Sequence, residues 1–332
     1  GVSFDKTQPT FNNVTISSDN SGNNQYARAE SLISLSFESS ETLASTTVTI
    51  NGVATVASLS GATYTAVYTI TDATADNGGA GYTVPFTIQA RDLNGYDSDV
   101  LTETSNGTSV IFDKSAPTIT TLILTSDNDN DQTLARVDDV LTLELVANEP
   151  LQQPVFSIAG ETTITEVAGG TDATWSGTYT MKITDTEGAQ AIDIDFMDYA
   201  GNSVTNTTET TNGSAVNFDR TTPTLDVVTI VSDNIYNNQM ATTGNTVTLS
   251  IEASENLQTA PMFTVAGGAA FAADIGSDAS KWSGTYIMQD GDTEGAVAFS
   301  IAFEDLAAND GVAVAATTNS SSITFDKTAT DI

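Results

Sequence analysis

Apolar and polar residues alternate along many short stretches of this chain, with the period of a β-strand. In the middle of the sequence, Leu141, Leu143 and Leu145 would share one face of a strand. Threonine, valine, isoleucine, serine and aromatic residues dominate such stretches, and none of them shows a sustained helical period. In the central third of the chain the pattern predicts strands over residues 119–124, 140–145, 155–158, 175–183, 192–196 and 216–218. We therefore expect an all-β fold.

A short phrase recurs along the chain and divides it into repeats. Its copies begin at Phe4, Phe112, Phe218 and Phe325. The intervals are 108, 106 and 107 residues, and a constant period of this size indicates one structural unit repeated in tandem. We predict repeats over residues 1–112, 113–218 and 219–325, with residues 326–332 opening a further repeat. Since both ends of the chain fall inside a repeat, we expect it to be an internal segment of a longer protein.

Each repeat carries several short predicted strands separated by turn residues, a pattern typical of a two-sheet sandwich. Trp282 in the third repeat matches Trp175 in the second, whereas the first repeat has Tyr64 there. These aromatic residues lie within alternating strands, so we expect them in the core. The segment 203–218 would span about 54 Å if extended, which is too long for one strand of a sandwich. It either turns back at residues 212–213 or bends and continues.

The charge of the chain narrows its possible partners. There are 43 acidic residues against 9 basic residues, and the formal net charge is −34. Nucleic acid and anionic membranes would repel such a chain, whereas cations would be attracted to it. The hydrophobic share of 39%, arranged in regular strands, argues against disorder. No apolar run approaches the roughly 20 residues of a membrane-spanning helix, so we predict no membrane insertion in this segment.

Catalysis has little support in the sequence. The chain has no histidine and no cysteine to act as a base or a nucleophile. A pair of carboxylates could hydrolyse a glycosidic bond. However, every candidate pair recurs in each repeat, and three copies of one active site in a row are not expected of an enzyme. We predict that the chain is not an enzyme.

Acidic and amide side chains concentrate in the predicted loops and recur at matched positions. Ca²⁺ binds about six to eight oxygen atoms from carboxylates, side-chain amides and backbone carbonyls, so these positions are candidate metal ligands. The candidates are Asp5, Asp19, Asn20, Glu41, Asp72, Asp92, Asp113, Asp127, Asn128, Glu149, Asp185, Asp198, Asp219, Asp233, Asn234, Glu255, Asp292, Asp305 and Asp326.

The topology of an antiparallel sandwich places successive loops at alternate ends, so stacked repeats bring the exit loops of one against the entry loops of the next. At the first junction this groups Asp19, Asn20, Asp72, Asp113, Glu149 and Asp198. At the second junction it groups Asp127, Asn128, Asp185, Asp219, Glu255 and Asp305. Carboxylates held so close would repel one another and have raised pKa values unless a cation lies between them. We therefore predict calcium at each junction.

Three other interpretations of the acidic residues stay open. They could be solvated turns, because aspartate and asparagine favour turns on their own account. The charge could be a general adaptation to salt, in which case acidic residues would also cover the exposed strand faces, where serine and threonine are common instead. A cation could also bind within a single loop, for which residues 127–131 are the best candidate, although this run lacks the glycine and the terminal glutamate of a helix-loop-helix calcium site.

Several short motifs follow one another in the same order in the repeats. The phrase beginning Phe-Asp is followed by Ser-Asp-Asn, as at 126–128, then by a segment such as Ala-Ser-Glu-Asn-Leu at 253–257, then by Asp-x-Ala-Gly-Asn, as at 198–202. This order resembles the bacterial immunoglobulin-like tandem repeats of giant calcium-dependent surface adhesins, and the resemblance covers all three repeats. It implies three tandem immunoglobulin-like β-sandwiches in an elongated array, forming an extracellular, calcium-stiffened stalk at the cell surface. It does not identify a distal ligand.

Two rival functions remain. A subunit of a surface layer or extracellular filament would make large side-to-side contacts, which the scarcity of apolar patches on exposed strand faces disfavours. A carbohydrate-binding module would present a set of exposed aromatic residues. Tyr26, Tyr96, Tyr199 and Tyr236 lie in predicted loops but do not recur as a set.

Overall fold

The computed structural model describes residues 6–75, 81–162, 165–168 and 172–328. Every regular element among these residues is a β-strand, which confirms the predicted all-β class. In this part of the chain there is no helix long and apolar enough to span a membrane.

The strands recur in each of the three repeats. The first repeat contains β1 (Phe11–Ser18), β2 (Tyr26–Ala27), β3 (Leu32–Ser39), β4 (Leu43–Ile50), β5 (Val53–Thr55), β6 (Ala57–Ser60), β7 (Thr63–Thr69), β8 (Tyr82–Thr83), β9 (Phe86–Asp92) and β10 (Ile111–Phe112). The second contains β11 (Ile119–Ser126), β12 (Leu134–Ala135), β13 (Val140–Ala147), β14 (Val155–Ile158), β15 (Thr165–Ala168), β16 (Thr174–Thr180), β17 (Gly188–Ala189), β18 (Ile192–Met197), β19 (Ser203–Thr207) and β20 (Asn217–Phe218). The third contains β21 (Leu225–Ser232), β22 (Met240–Ala241), β23 (Thr246–Ala253), β24 (Met262–Val265), β25 (Phe271–Ala272), β26 (Asp274–Ile275), β27 (Lys281–Ile287), β28 (Gly295–Ala296), β29 (Phe299–Ala302) and β30 (Thr324–Phe325).

Hydrogen bonding joins the main strands of each repeat into two sheets, and the four-stranded sheet has the same order in every repeat, whereas the third strand of the other sheet lies beside its last strand in the second repeat and beside its first strand in the other two. In the first repeat the sheets are β1-β3-β7-β6 and β5-β4-β9. In the second they are β11-β13-β16-β15 and β14-β18-β19, and in the third β21-β23-β27-β26 and β25-β24-β29. If β1, β3, β4, β6, β7 and β9 are labelled A to F, the sheets read A-B-E-D and C-F, which is the strand order of an immunoglobulin sandwich. The predicted immunoglobulin-like class is therefore confirmed.

The alternation in the sequence decides which face of each sheet is buried. Phe37 on β3 and Ile88 on β9 come from the two sheets of the first repeat, and both are fully buried in one hydrophobic core. In the third repeat, Leu249 on β23 and Ile301 on β29 share a core in the same way. Burial of one face of each sheet against the other is what holds a sandwich together.

The aromatic residues singled out in the sequence lie on these inner faces. Tyr64 pairs with Phe37 across β7 and β3, and their rings stack with centroids 5.2 Å apart. Trp282 is buried in the core of the third repeat, as predicted. Trp175 at the matching position of the second repeat is half-buried.

A small additional sheet in each repeat holds the recurring phrase. β10 pairs in parallel with β2 and antiparallel with β8. β20 and β30 pair in the same way with the matching strands of their own repeats. The phenylalanine of the phrase is at most 1% exposed at Phe112, Phe218 and Phe325. The phrase therefore closes one repeat, and the aspartate that follows it begins the linker.

The segment 203–218 is not one long strand. β19 ends at Thr207, a turn containing Gly213 at a φ of 74° follows, and β20 then joins the small sheet. β19 pairs with β18 instead of β20, so the segment bends and continues without forming a hairpin on itself.

Contacts divide the chain into two compact units. The first comprises Gly1–Ile123, Glu144–Gly177 and Ile192–Asn212. The second comprises Leu124–Leu143, Thr178–Ala191 and Gly213–Ile332. Residues of the middle repeat contribute to both units, so the division into three domains at the sequence repeats stays a prediction.

Candidate metal centre

Three buried carboxylates meet where the second repeat begins. Asp113, Glu149 and Asp198 each offer an oxygen atom, and these atoms lie within 4.8 Å of one another. Asp113 directly follows β10, Asp198 directly follows β18, and Glu149 lies in the loop after β13. The exposed fraction is 5% for Asp113, 2% for Asp198 and 9% for Glu149. We call these residues the first trio.

A second trio occupies the matching positions where the third repeat begins. Asp219, Glu255 and Asp305 also place carboxylate oxygens within 4.8 Å of one another. Asp305 is fully buried, and the other two are half-buried. No other group of three or more potential ligands of these types lies this close together within the described part of the chain.

The backbone fixes the linker aspartate of each trio to the preceding repeat. The N–H of Asp113 donates to the carbonyl of Ala27 at 2.8 Å, which continues the pairing of β10 with β2. The N–H of Asp219 donates to Ala135 in the same way, also at 2.8 Å. Each trio therefore joins a residue anchored to one repeat with two loops of the next repeat.

Asn202 orients the carboxylate of Asp198. Asp198 Oδ1 accepts the N–H groups of Gly201 at 2.7 Å and Asn202 at 2.9 Å, and Oδ2 accepts Asn202 Nδ2 at 2.8 Å. Asn202 Nδ2 also donates to the carbonyl of Asp113 at 3.1 Å. Matching contacts in the third repeat are made by Asn309, Asp305 and Asp219. The sequence interpretation missed this asparagine, although its recurrence four residues after the aspartate was a usable signal.

Burial and the charges of neighbouring carboxylates raise the pKa values of Glu149, Glu255 and Asp305. Burial raises the pKa of Glu149 to about 7, and the charges of Asp113 and Asp198 add to the effect. The Oε1 atom of Glu149 has no hydrogen-bond partner among the described residues. Burial is also the main reason why the pKa values of Glu255 and Asp305 are raised. A divalent cation between the carboxylates would remove the repulsion and give the unpaired oxygen a partner. The all-oxygen donor set suits a hard cation such as calcium, which would take its further ligands from carbonyls or water.

Other candidate ligands predicted from the sequence lie outside the trios. Three of them accept a backbone N–H of the following strand in their own repeat, and so close the loop between the A and B strands. They are Asp19, bonded to Leu32, Asp127, bonded to Val140, and Asp233, bonded to Thr246.

The asparagine that follows each of these aspartates is oriented by its own loop. Asn20 Oδ1 accepts the N–H of Gly22 at 3.0 Å, which turns its amide nitrogen outward. Asn20 Nδ2 donates to the carbonyls of Tyr199 at 3.0 Å and Ala200 at 3.3 Å. Asn128 and Asn234 accept backbone N–H groups in the same way. The structure therefore presents Asn20 at the junction as a hydrogen-bond donor, because its oxygen is occupied within the loop.

The aspartate of the Asp-Thr-Glu-Gly loops is also engaged within its own repeat. Asp185 accepts the hydroxyl of Tyr179 and the N–H of Lys182. Asp292 accepts the hydroxyl of Tyr286 and the N–H of Gln289. In the first repeat Asp72 has an exposed side chain, and its carbonyl accepts Lys114 Nζ at 2.6 Å.

The glutamate of these loops is the residue that faces the linker. Glu187 Oε1 accepts the N–H of Arg220 at 3.1 Å and the hydroxyl of Thr221 at 2.7 Å, directly after Asp219. Glu294 contacts Lys327 and Thr328 in the same way. The charge of Glu187 is one of the causes that raise the pKa of Glu255. The sequence prediction assigned Asp185 to the junction, whereas in the structure it is Glu187 of the same motif that contacts the linker.

The outermost repeats keep parts of the same arrangement. Asp92 is 1% exposed, its Oδ1 accepts the N–H groups of Asn94 and Tyr96, and its Oδ2 has no partner among the described residues. Glu41 is half-buried. Asp5 lies outside the described residues. After the third repeat, the N–H of Asp326 donates to Ala241 and its Oδ1 accepts the N–H of Thr328.

The alternative site within residues 127–131 finds little support in its contacts. Asp131 Oδ1 accepts both the N–H and the hydroxyl of Thr133, which lower the pKa of Asp131. Asn128 Oδ1 accepts the N–H groups of Asn130 and Asp131. Asp131 Oδ1 and Asn128 Oδ1 are thus engaged by the loop itself.

Comparison with known proteins gives only distant similarities. No protein-family model matches the chain, and no curated protein matches its sequence. A structure from a study of host cell surface retention of a 1.5-MDa bacterial ice-binding adhesin is 19% identical, with a TM-score of 0.49, over 98% of this chain and 100% of that one. The I9–I11 tandem of titin is 9% identical, with a TM-score of 0.31, over 90% of this chain and 94% of that one. The N-terminal eight immunoglobulin domains of Down syndrome cell adhesion molecule are 10% identical, with a TM-score of 0.30, over 92% of this chain and 41% of that one. At these scores the fold assignment depends on the strand order and the shared cores.

Proposed function

We propose that this chain is a non-catalytic stalk segment of a large extracellular adhesin at the cell surface, stiffened by Ca²⁺ at the junctions between successive repeats. One observation carries the proposal. Carboxylate trios, buried at the first junction and partly buried at the second, recur at matching positions, and in each trio a linker aspartate anchored to one repeat meets two loops of the next.

A cation at this position would couple the two repeats mechanically. It would bind Asp113, whose backbone is fixed to the first repeat, together with Glu149 and Asp198 from loops of the second. Without the cation the three carboxylates repel one another and favour separation of the linker from the loops. Calcium that binds only the native arrangement would also raise stability by mass action.

The junction tyrosines favour a structural role over carbohydrate binding. The rings of Tyr26 and Tyr199 pack together with centroids 5.5 Å apart, and the hydroxyl of Tyr199 donates to Asp172 at 2.6 Å. Two of the four loop tyrosines are thus engaged at the contact between repeats. The partners we propose are calcium and the neighbouring repeats, with no nucleic acid and no membrane insertion in this segment.

Calorimetric titration with calcium, thermal melts and small-angle scattering test this proposal. We expect calcium to raise the melting temperature, and chelation to increase bending between repeats. Asp198→Asn and Asp305→Asn should each weaken calcium binding. Asp129→Asn is the matched control, because Asp129 is an exposed aspartate in the loop of the single-loop alternative. Scattering profiles that do not change on chelation would contradict a calcium-stiffened rod. Equal losses of affinity in Asp129→Asn and Asp198→Asn would place the cation elsewhere.

The rivals predict different results with the same protein. A lattice or filament subunit would associate as concentration rises in the scattering series, whereas the stalk segment would not. A carbohydrate-binding module would give signal on a glycan array that is independent of calcium at the junctions.

A further inference from the structure

The contact between successive repeats has a second part besides the carboxylate trio. The turn at residues 198–202 presents its N–H groups to Asp198 and its carbonyl groups to the preceding repeat. Asn20 Nδ2 donates to the carbonyls of Tyr199 and Ala200, and Arg28 Nη1 donates to the carbonyl of Gly201 at 2.6 Å. All three acceptors belong to consecutive residues of one turn.

The same donors recur at the start of the third repeat. Asn128 Nδ2 donates to the carbonyl of Ala307 at 2.9 Å, and Arg136 Nη1 donates to the carbonyl of Ala308. Asn20 and Asn128 are separated by 108 residues, as are Arg28 and Arg136. The two sets of contacts are therefore equivalent, and the arginine in each is one of only 9 basic residues in the chain.

The turn after the F strand contains a residue in the left-handed region in every repeat, including Gly95 in the first. Gly201 adopts a φ of 91°, and Ala308 at the matching position adopts a φ of 68°. A residue with a side chain rarely occupies this left-handed conformation, and it persists where surrounding contacts fix it. The conformation of Ala308 is held by two hydrogen bonds: its N–H donates to the carbonyl of Asp305, and its carbonyl accepts Arg136 Nη1.

We propose that these donors form a clasp that docks successive repeats without a cation, and that the partner surface of the clasp is the turn after the F strand of the next repeat. The clasp consists of Asn20 with Arg28 at the first junction and Asn128 with Arg136 at the second. Its donors are neutral or positive and its acceptors are neutral carbonyls, so the clasp has no repulsion to overcome in the absence of metal. Hydrogen bonds from a charged guanidinium are also stronger than those between neutral groups. Removal of the cation therefore loosens the trio and leaves the clasp in place.

The third repeat supplies a natural control for the clasp. Asn234 has the same loop contacts as Asn20, and among the described residues its Nδ2 donates to Asn245 of its own repeat, a contact that Asn128 also makes with Asp139. Thr242 stands where the other repeats have arginine. Asn→Asp at position 20 or 234 keeps the oxygen that the loop uses and removes the amide donor. Among the described residues, the change at position 20 removes a contact between repeats, and the change at position 234 removes one within a repeat.

Spin-label distances between the first two repeats test the clasp directly. The chain has no cysteine, so cysteines introduced at the exposed positions Ser60 and Thr208 can be labelled cleanly. Distance distributions are measured by pulsed electron spin resonance, in excess chelator and in excess calcium. The variants are Asn20→Asp and Arg28→Ala, with Asn234→Asp and Arg91→Ala as controls. Arg91→Ala makes the same charge change, and Arg91 forms an ion pair with Asp97 of its own repeat.

In chelator we expect the wild type and both controls to keep a defined distance peak. Loss of one charged donor in Arg28→Ala should lower the equilibrium constant for docking by about tenfold and broaden the distance distribution. Asn20→Asp should also broaden the distribution. In calcium the broadening should be much smaller. Arg28 is exposed, so Arg28→Ala does not endanger folding. If Arg28→Ala and Asn20→Asp match their controls in chelator, the clasp proposal is wrong.

The clasp proposal depends on the proposed function only in its statement that calcium binds the carboxylate trios. The clasp proposal and the calcium proposal can therefore fail separately. If calcium leaves the wild-type distribution unchanged while the clasp variants broaden it in both conditions, the clasp stands and the calcium proposal fails. If calcium sharpens the wild-type distribution and the clasp variants do not differ from their controls, the reverse holds. A wild type with no defined peak in chelator would also overturn the clasp.

Discussion

Replacing Glu149 with glutamine should change the stability of the protein in opposite directions with and without calcium. Glu149 is nine-tenths buried beside Asp113 and Asp198, and burial raises its pKa to about 7 from an ordinary value of 4.5. At one pKa unit per 1.36 kcal/mol, keeping Glu149 ionised at pH 8 costs the metal-free folded state at most about 3 kcal/mol relative to the unfolded chain. Glutamine has nearly the same shape and no charge, so it removes this cost.

In excess chelator at pH 8, the Glu149→Gln variant should therefore melt several degrees above the wild type, since ~1 kcal/mol corresponds to ~2–4 °C for a protein of moderate size. With calcium the order should reverse, because the variant lacks one charged ligand and should bind calcium about tenfold more weakly. Differential scanning calorimetry at pH 8, with chelator and with calcium, measures both effects.

Glu209→Gln is the matched control for this experiment. Glu209 is an exposed glutamate of the same repeat, so its replacement changes the net charge equally without touching the trio. The reasoning would be refuted if Glu149→Gln melted at or below the wild type in chelator. It would also be refuted if the two variants responded alike to calcium.

Three further perturbations probe the same junctions. In chelator the wild-type melting temperature should fall as pH rises from about 4.5 to about 7, because Glu149 keeps its proton to a higher pH in the folded state than in the unfolded state. If the melting temperature of Glu149→Gln fell as steeply with pH as that of the wild type, this prediction would be contradicted. Asn202→Ala removes the side-chain amide that donates to Asp198 and to the carbonyl of Asp113. It should lower the free energy of unfolding in urea by about 1–3 kcal/mol with or without calcium. Asn24→Ala, at an exposed loop position, is the control and should be near neutral. Glu187→Ala removes the acceptor for the linker at Arg220 and should increase bending at the second junction in scattering while leaving the first unchanged; equal effects at both junctions would rule out a local role.

Strand positions were largely predictable because their cause is local. Alternation at Leu141, Leu143 and Leu145 leaves only one face that can be buried, and all three residues are buried. The recurring phrase was equally informative, since a phenylalanine at a fixed period must pack in the same environment each time, as Phe112 and Phe218 do. Small differences concern boundaries, such as β16, which ends at Thr180 instead of Ile183.

The carboxylate trios followed from topology and not from any single motif. Antiparallel strands alternate in direction, so the loop after the B strand and the loop after the F strand must lie at the same end as the linker. Strand direction groups Asp113, Glu149 and Asp198 at one end together with Asp19, Asn20 and Asp72, and the structure brings the carboxylates of the first three within 4.8 Å of one another. Calcium at this position stays a prediction.

Loop side chains were much less predictable, because the choice between neighbouring polar groups depends on hydrogen bonds that form only in the folded loop. Asp19 and Asn20 are adjacent in sequence and both suit a cation. In the structure Asp19 bonds to Leu32 of its own repeat, and Asn20 donates to the carbonyl of Tyr199 in the next. Nothing in the residue types distinguishes these two outcomes.

The sequence by itself determined the class of fold, the repeat length and the end of each sandwich at which the acidic loops gather, since periodicity and strand direction are properties of the chain. Only the tertiary structure decided which carboxylates lose contact with water and which donors cross to the next repeat. The orientation of Glu187 toward the linker and of Arg28 toward Gly201 depends on surfaces brought together from distant parts of the chain. Such contacts have no counterpart in local sequence, because the energy of a buried charge or a shared hydrogen bond is set by neighbours that only folding supplies.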